Sequence, residues 1–215
     1  MLSFVEEITL LMLDDAKGEF VDMPVAAFST VVAGAALMDL AMHNRIDTDL
    51  EKLIVVDRSP TGDGILDDAL GQIAEMGTAL PLMEVLDKIG LHAGRYTAEA
   101  LKRLVAHGIL REENGRHLWV FRTRRYPMID DREEREVKAR LRQILLTDEI
   151  PDPRDVVLIC LIDACKLFGL LLSDAEIEAT AARVEQLRKM DLIGQAVSKA
   201  VADIQFIFKL ATAAV

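Results

Sequence analysis

Aromatic residues are scarce, at 5% of 215 positions, with a single tryptophan. A β-sandwich or barrel core draws on aromatic and β-branched side chains, so this shortage argues against one. Cysteine is nearly missing. Cys160 and Cys165 stand five apart in the apolar stretch Leu158–Leu172, on different faces of a helix and too constrained to bridge each other. They read as buried thiols in a reducing compartment. No cysteine–histidine cluster has metal-ligand spacing, so neither metal nor cofactor is expected. Positive charge is outnumbered: 25 Lys and Arg face 36 Asp and Glu, for a formal net charge of −11. Such a chain is poorly suited to coating nucleic acid or anionic lipid with its whole surface, and an anionic partner would need a local basic patch. The start, Met1 to Glu7, has two carboxylates and no basic stretch, unlike a secretory signal. The apolar tail Ala200–Val215 carries Asp203 and Lys209 and is short for a membrane span. It reads as a buried terminal helix in a cytoplasmic protein.

Leu, Ile, Val, Ala and Met make up most of the 51% hydrophobic fraction, a palette for helix-on-helix packing. Apolar spacing predicts a helix over Leu2–Leu13, with Ser3 and Glu6 placed as a capping box. Val25–His43 is apolar on nearly every side and small in the middle (Ala33, Gly34, Ala35, Ala36), which predicts a central helix buried on most sides. Ile46 and Leu53–Val56 suggest a small pair of strands. Thr61 or Asp63 would cap a helix over Ile65–Met76, with Asp67 and Asp68 at the positive end of its dipole. Helices follow at Leu80–Ile89 and Tyr96–His107, the latter stopped by Gly108. Asn114-Gly115 between two short runs predicts a hairpin over Ile109–Phe121. Arg132–Leu146 reads as a charged helix with Glu134–Lys138 and Glu136–Arg140 pairs. After the Pro151–Pro153 loop come helices over Val156–Leu172, Asp174–Met190 and Leu192–Leu210. The expectation is one domain, residues 1–215: mainly α, a helical bundle around a buried central helix with a small projecting β-hairpin.

Three stretches resemble the Golgi phosphoprotein 3 family: the opener Leu2-Ser3-Phe4-Val5-Glu6-Glu7-Ile8; Gly34-Ala35-Ala36-Leu37-Met38-Asp39-Leu40-Ala41 with Asn44-Arg45-Ile46; and Ser59-Pro60-Thr61-Gly62-Asp63 with Leu66-Asp67-Asp68-Ala69-Leu70. Leu104–Leu110, the hairpin and the Leu158–Leu172 helix follow in the family's order, so the similarity runs from about Leu2 to Phe208. The resemblance implies a cytosolic protein, peripheral on membranes, that binds phosphatidylinositol 4-phosphate and, in eukaryotes, links membranes to protein partners. No enzymatic activity is expected, and a homo-oligomer would gain avidity for a membrane. The resemblance also implies a short, prokaryotic-type member without the basic N-terminal tail of eukaryotic relatives. The chain departs from the family at the headgroup pocket. A tryptophan and three arginines stand there in the family, whereas an ungapped alignment puts Pro24, Ala33, Gly94 and Thr97 at those positions here. Arg95, one place away, is the candidate lipid-binding residue.

The hairpin is the other candidate. Leu118 and Val120 would face one side, Trp119 and Phe121 the other. Arg122, Arg124 and Arg125 follow, so Leu118 and Trp119 with these three arginines form an apolar-basic edge suited to an anionic membrane. The same pattern also serves a tryptophan covering a core edge beside a solvated strand end. An alternative function is a winged-helix-like DNA-binding regulator, with Tyr96–His107 as recognition helix and the Asn114-Gly115 hairpin as wing. Arg95, Lys102, Arg103 and Arg116 would supply its charge, against Glu99, Glu112 and Glu113 on the same unit. The acidic balance favours a reading without nucleic acid. None of the four histidines stands in a nucleophile or metal motif.

Overall fold

The computed structural model describes residues 2–14, 17–48, 52–114, 124–197 and 199. It is mainly helical. Helix α1 (Phe4–Leu11) starts at a full capping box: the Ser3 hydroxyl accepts from the Glu6 amide, and the Glu6 carboxylate accepts from the Ser3 amide. Helix α2 (Val25–Met42) is the centre of the molecule and packs on α1, α3 (Gly64–Met76), α4 (Leu82–Gly90), α5 (Ala93–Ala106) and α7 (Pro153–Cys165). By length and composition α2 could cross a membrane, but 67% of it lies buried among these neighbours. A helix with no polar face has to be covered in this way.

Small residues let the neighbours approach. A Cβ added to Gly34 would fall 2.4 Å from Val197 Cγ2, and one on Gly194 would fall 2.5 Å from Cys160 Cβ. The helical segment 192–197 therefore sits tightly against both α2 and α7. Both cysteines are free and buried. Burial pushes each thiol up to about 12, which makes them inert packing groups.

A single carboxylate breaks the apolar surface of α2. Asp39 is buried and its Oδ2 accepts from the Phe4 amide at 2.8 Å. A helix start buried without acceptors would leave orphan amides, and Asp39 supplies one acceptor from the next helix. Arg154, from the first turn of α7, closes the same junction. It donates to the Glu7 carboxylate at 2.7 Å and to the Leu2 carbonyl, and lies 4.1 Å over the Phe4 ring. Burial lifts the Asp39 carboxyl to about 6 and that of Glu7 to about 7, against the pull of Arg154.

The strands are short. After α2 the chain turns through Asn44, at φ 55°, into β1 (Ile46–Thr48). β1 pairs antiparallel with β2 (Lys52–Val55), and β2 pairs with β3 (Ala79–Pro81). The third strand has no sequence signature, because Ala79-Leu80-Pro81 reads as the start of the following helix. Leu80 is buried, and its pairing with buried Leu53 holds the segment extended.

The hairpin register differs from the sequence expectation. Glu113 of β4 (Glu113–Asn114) pairs with Arg125 of β5 (Arg124–Arg125), and Asn114 pairs with Arg124. Asn114-Gly115 is therefore not a two-residue turn joining paired strands. A further bridge joins Leu110 to Met128. Buried Leu110 and partly buried Met128 share a satellite core with Leu2, Leu10, Leu13, Leu101, Leu104 and Tyr126, and burial of one strand face fixes register.

Two further corrections concern the C-terminal half. Glu134 pairs with Lys138 at 2.7 Å, but Arg140 turns away from Glu136 to Asp155, at 2.8 Å. The expected helix Val156–Leu172 starts at Pro153, capped by Asp152, and ends at Cys165. Lys166 takes the left-handed conformation at φ 60°, and a 3₁₀ turn, Phe168–Leu170, leads to α8 (Asp174–Arg188). Helix α6 (Arg132–Leu146) lies as expected.

Replacing Gly34 by Leu should overpack the contact with Val197 and cost roughly 1–3 kcal/mol in denaturant unfolding. A second expectation concerns pH. Because Glu7 and Asp39 have carboxyls raised above the ordinary range, their contribution to stability is fully present below about pH 4. It is lost as pH rises through about 6 and 7. Unfolding midpoints measured across this window should fall with pH for the wild type. They should fall less for Glu7→Gln and Asp39→Asn.

Candidate membrane-facing site

Three elements meet at the N-terminal end of α2. The first is the loop before α2. Gly18 has φ +62°, its carbonyl accepts from the Tyr126 amide at 2.8 Å, and a Cβ there would lie 2.4 Å from Pro127 N. Only glycine fits a left-handed backbone at such an approach. Its neighbour Glu19 ion-pairs with Arg125 at 2.8 Å, and the Phe20 ring stands edge-on to Phe28 of α2 at 5.3 Å. The hairpin base is thus tied to the start of α2.

The second element is the start of α2 itself, where Val25 is 81% exposed. The third is the α4–α5 junction. A Cβ on Gly90 would touch Ser29 Cβ at 3.6 Å, so the end of α4 lies against the first turns of α2. Leu91 follows and is 79% exposed. Two large aliphatic side chains are therefore held in water at one end of the molecule.

Arg95 belongs to this end, in the first turn of α5. Its guanidinium is more than half exposed and ion-pairs with Asp68 of α3, 3.3 Å from His92 Nδ1. The Tyr96 hydroxyl donates to the same Asp68 oxygen at 2.7 Å. Burial works to raise the Asp68 carboxyl, but the bonds from Tyr96 and Arg95 hold it below the usual range. The sequence places Asp68 at the positive end of its own helix dipole. Its bond to Tyr96 of α5 joins residues 28 apart in sequence, beyond any local pattern.

The four positions that the resemblance sets against the family's pocket carry no cationic side chain. Pro24 caps α2, Ala33 is fully buried, Gly94 is exposed with open space above it, and Thr97 is 5% exposed. Of the expected hairpin contacts, Arg124 and Arg125 lie in β5, whereas Leu118, Trp119 and Arg122 lie outside the described residues.

The Ser59–Asp63 turn is built for structure. The Thr61 amide and hydroxyl both donate to Asp67 Oδ1, at 2.6 and 2.7 Å. Asp63 caps α3 and accepts from Arg103 of α5 at 2.5 Å. The cations expected of a DNA-reading α5 are thereby engaged: Arg95 with Asp68, Lys102 with Glu99 at 3.2 Å, and Arg103 with Asp63. Among the described residues no group of three or more His, Cys, Asp or Glu could hold a metal ion.

Comparison with known proteins agrees with this architecture. The model of the family described as Golgi phosphoprotein 3 (GPP34) matches residues 4–204. A relative, vacuolar protein sorting-associated protein 74 of Eremothecium gossypii, is 26% identical over 211 residues, covering 82% of this chain. The chain spans 63% of that relative's own length. Matched over nearly its whole length, the chain belongs to the Golgi phosphoprotein 3 family.

Proposed function

We propose that this chain is a cytosolic, non-catalytic adaptor, one Golgi phosphoprotein 3-like domain, that docks reversibly on anionic lipid through the N-terminal end of α2. The observation that carries this reading is the pair of exposed aliphatic side chains, Val25 and Leu91, at the end of the molecule that holds Arg95 and the hairpin base. Exposed apolar side chains next to arginines suit a membrane interface. Family membership supports a lipid-associated adaptor with protein partners. The hairpin residues Leu118, Trp119 and Arg122, which lie outside the described residues, would with Arg124 add insertion and charge to a contact whose base, Arg125, is held by Glu19.

The chemistry argues for weak headgroup selectivity. A phosphorylated inositol needs several convergent cationic donors, because each charge-assisted bond contributes roughly 1.5–3 kcal/mol. The pocket positions offer none, and Arg95 is already engaged by Asp68. Each basic residue near an anionic surface contributes about 1 kcal/mol. Contact should therefore be transient, salt-sensitive and aided by homo-oligomerisation through multivalency.

Flotation with liposomes tests this reading. Vesicles carrying phosphatidylserine should float the protein about as well as vesicles of equal charge carrying phosphatidylinositol 4-phosphate. Val25→Asp with Leu91→Asp should weaken flotation while leaving the fold intact, since both side chains already face water. Leu118→Asp with Trp119→Asp should abolish flotation, and unfolding of that variant would instead assign Trp119 to the core. Tight, headgroup-selective binding, or unchanged flotation by both double variants, would overturn the proposal.

A further inference from the structure

The Arg95–Asp68 pair differs in kind from the arginine contacts that brace the fold. Arg103 grips Asp63 with both terminal nitrogens, at 2.5 and 3.2 Å, and both side chains are mostly covered. Arg95 reaches Asp68 through Nη2 alone, and 58% of its side chain is exposed. A guanidinium presents five N–H donors in a fixed fork, so this one keeps donors for a second acceptor. Room for that acceptor lies next to it. A Cβ on Gly94 would meet nothing within 4 Å, and exposed Leu91 stands four residues earlier.

Asp68 also has a second partner. The hydroxyl of buried Tyr96 donates to the same oxygen at 2.7 Å. The carboxylate is thus fixed from the core side, while 27% of its side chain meets solvent. If Arg95 leaves, Asp68 keeps a hydrogen bond and water, and no buried charge is stranded. An ion pair this exposed is weak and screened by salt. A phosphate oxygen and a carboxylate oxygen are equivalent acceptors for a guanidinium.

We propose that Asp68 is an internal competitor for the phosphate group of an anionic headgroup. Arg95 binds either the carboxylate or the phosphate, and the headgroup has to displace the one to meet the other. This deepens the membrane reading above and rests on it. The exchange leaves the fold intact because Tyr96 retains Asp68. It also sets a threshold. A sparse anionic surface leaves Arg95 on Asp68, and a dense one, whose potential draws basic side chains, takes it over. The chemistry recognised is a phosphate oxyanion, from a lipid headgroup or from free phosphate.

The test uses Asp68→Asn in the whole chain. Asparagine keeps an acceptor for the Tyr96 hydroxyl and removes the charge that holds Arg95. In solution, NMR follows the Arg95 Nε–H resonance as inorganic phosphate is added. Half-saturation should come at about two- to fivefold lower phosphate in Asp68→Asn than in the wild type, the range of an exposed ion pair. On phosphatidylcholine vesicles, Asp68→Asn should float at a lower phosphatidylserine fraction, and adding Arg95→Ala should remove that gain. A gain that survives Arg95→Ala comes from deleting negative charge in general and would overturn the proposal. So would an unchanged phosphate response, or a large loss of stability in Asp68→Asn, which would make Asp68 a structural brace. A phosphate response without a flotation gain upholds the exchange, assigns it to free phosphate and counts against the membrane reading. Flotation that Val25→Asp with Leu91→Asp weakens and Asp68→Asn leaves unchanged upholds the membrane reading and overturns this one.

Discussion

Everything in this molecule is arranged around the need to cover α2. An apolar helix of eighteen residues has no side that water can take. Glycine and alanine let the segment 192–197 close over it. The one polar group on its buried stretch that reaches another element, Asp39, serves as the helix cap of α1. Loss of that carboxylate would leave the Phe4 amide buried without an acceptor, and an unmade bond costs more than a made one contributes. Arg154 then answers the charge that Asp39 and Glu7 bring into the interior. The covering of α2 thus dictates a small buried electrostatic network at one end and leaves the other end for contact with the surroundings.

The same economy governs the surface. An acidic chain has many carboxylates for each arginine, and most described arginines are engaged. Arg103 reinforces the cap of α3, Arg142 binds Glu176 of the α8 capping box, and Arg45 holds the carbonyls of the Ser59–Pro60 turn. These cations join elements rather than wait for a ligand. What distinguishes the two ends of α2 is therefore the kind of apolar group each exposes. Stiff aliphatic residues stand at the end that holds Arg95, and flexible methionines stand at the other.

Much of the fold was legible in the sequence where the signal is local. The Ser3–Glu6 capping box, the all-apolar α2, the Asp63 cap and the Gly108 stop (φ +74°) each depend on residues within one helical turn. The misses arose where a distant partner decides. Ala79-Leu80-Pro81 is a strand because Leu53 pairs with it. The hairpin register follows Leu110 and Met128 in a shared core, which overrides the Asn114-Gly115 turn signal. Helix α7 stops at Cys165 because Lys166 adopts a left-handed backbone that no residue pattern announced. The site was half legible: Arg95 stood out by its charge. Its partner Asp68, and Val25 and Leu91 at the same end, are brought there only through the packing of α2, α3, α4 and α5.

The central claim is that membrane contact occurs at the N-terminal end of α2. Hydrogen–deuterium exchange with and without anionic vesicles tests it directly. Added vesicles should slow exchange around residues 18–28, at the α4–α5 junction and at the base of the hairpin, and should leave the loop at 147–153 unchanged. Protection confined to that loop and to the C-terminal end of α2, with none at the α4–α5 junction, would contradict the account.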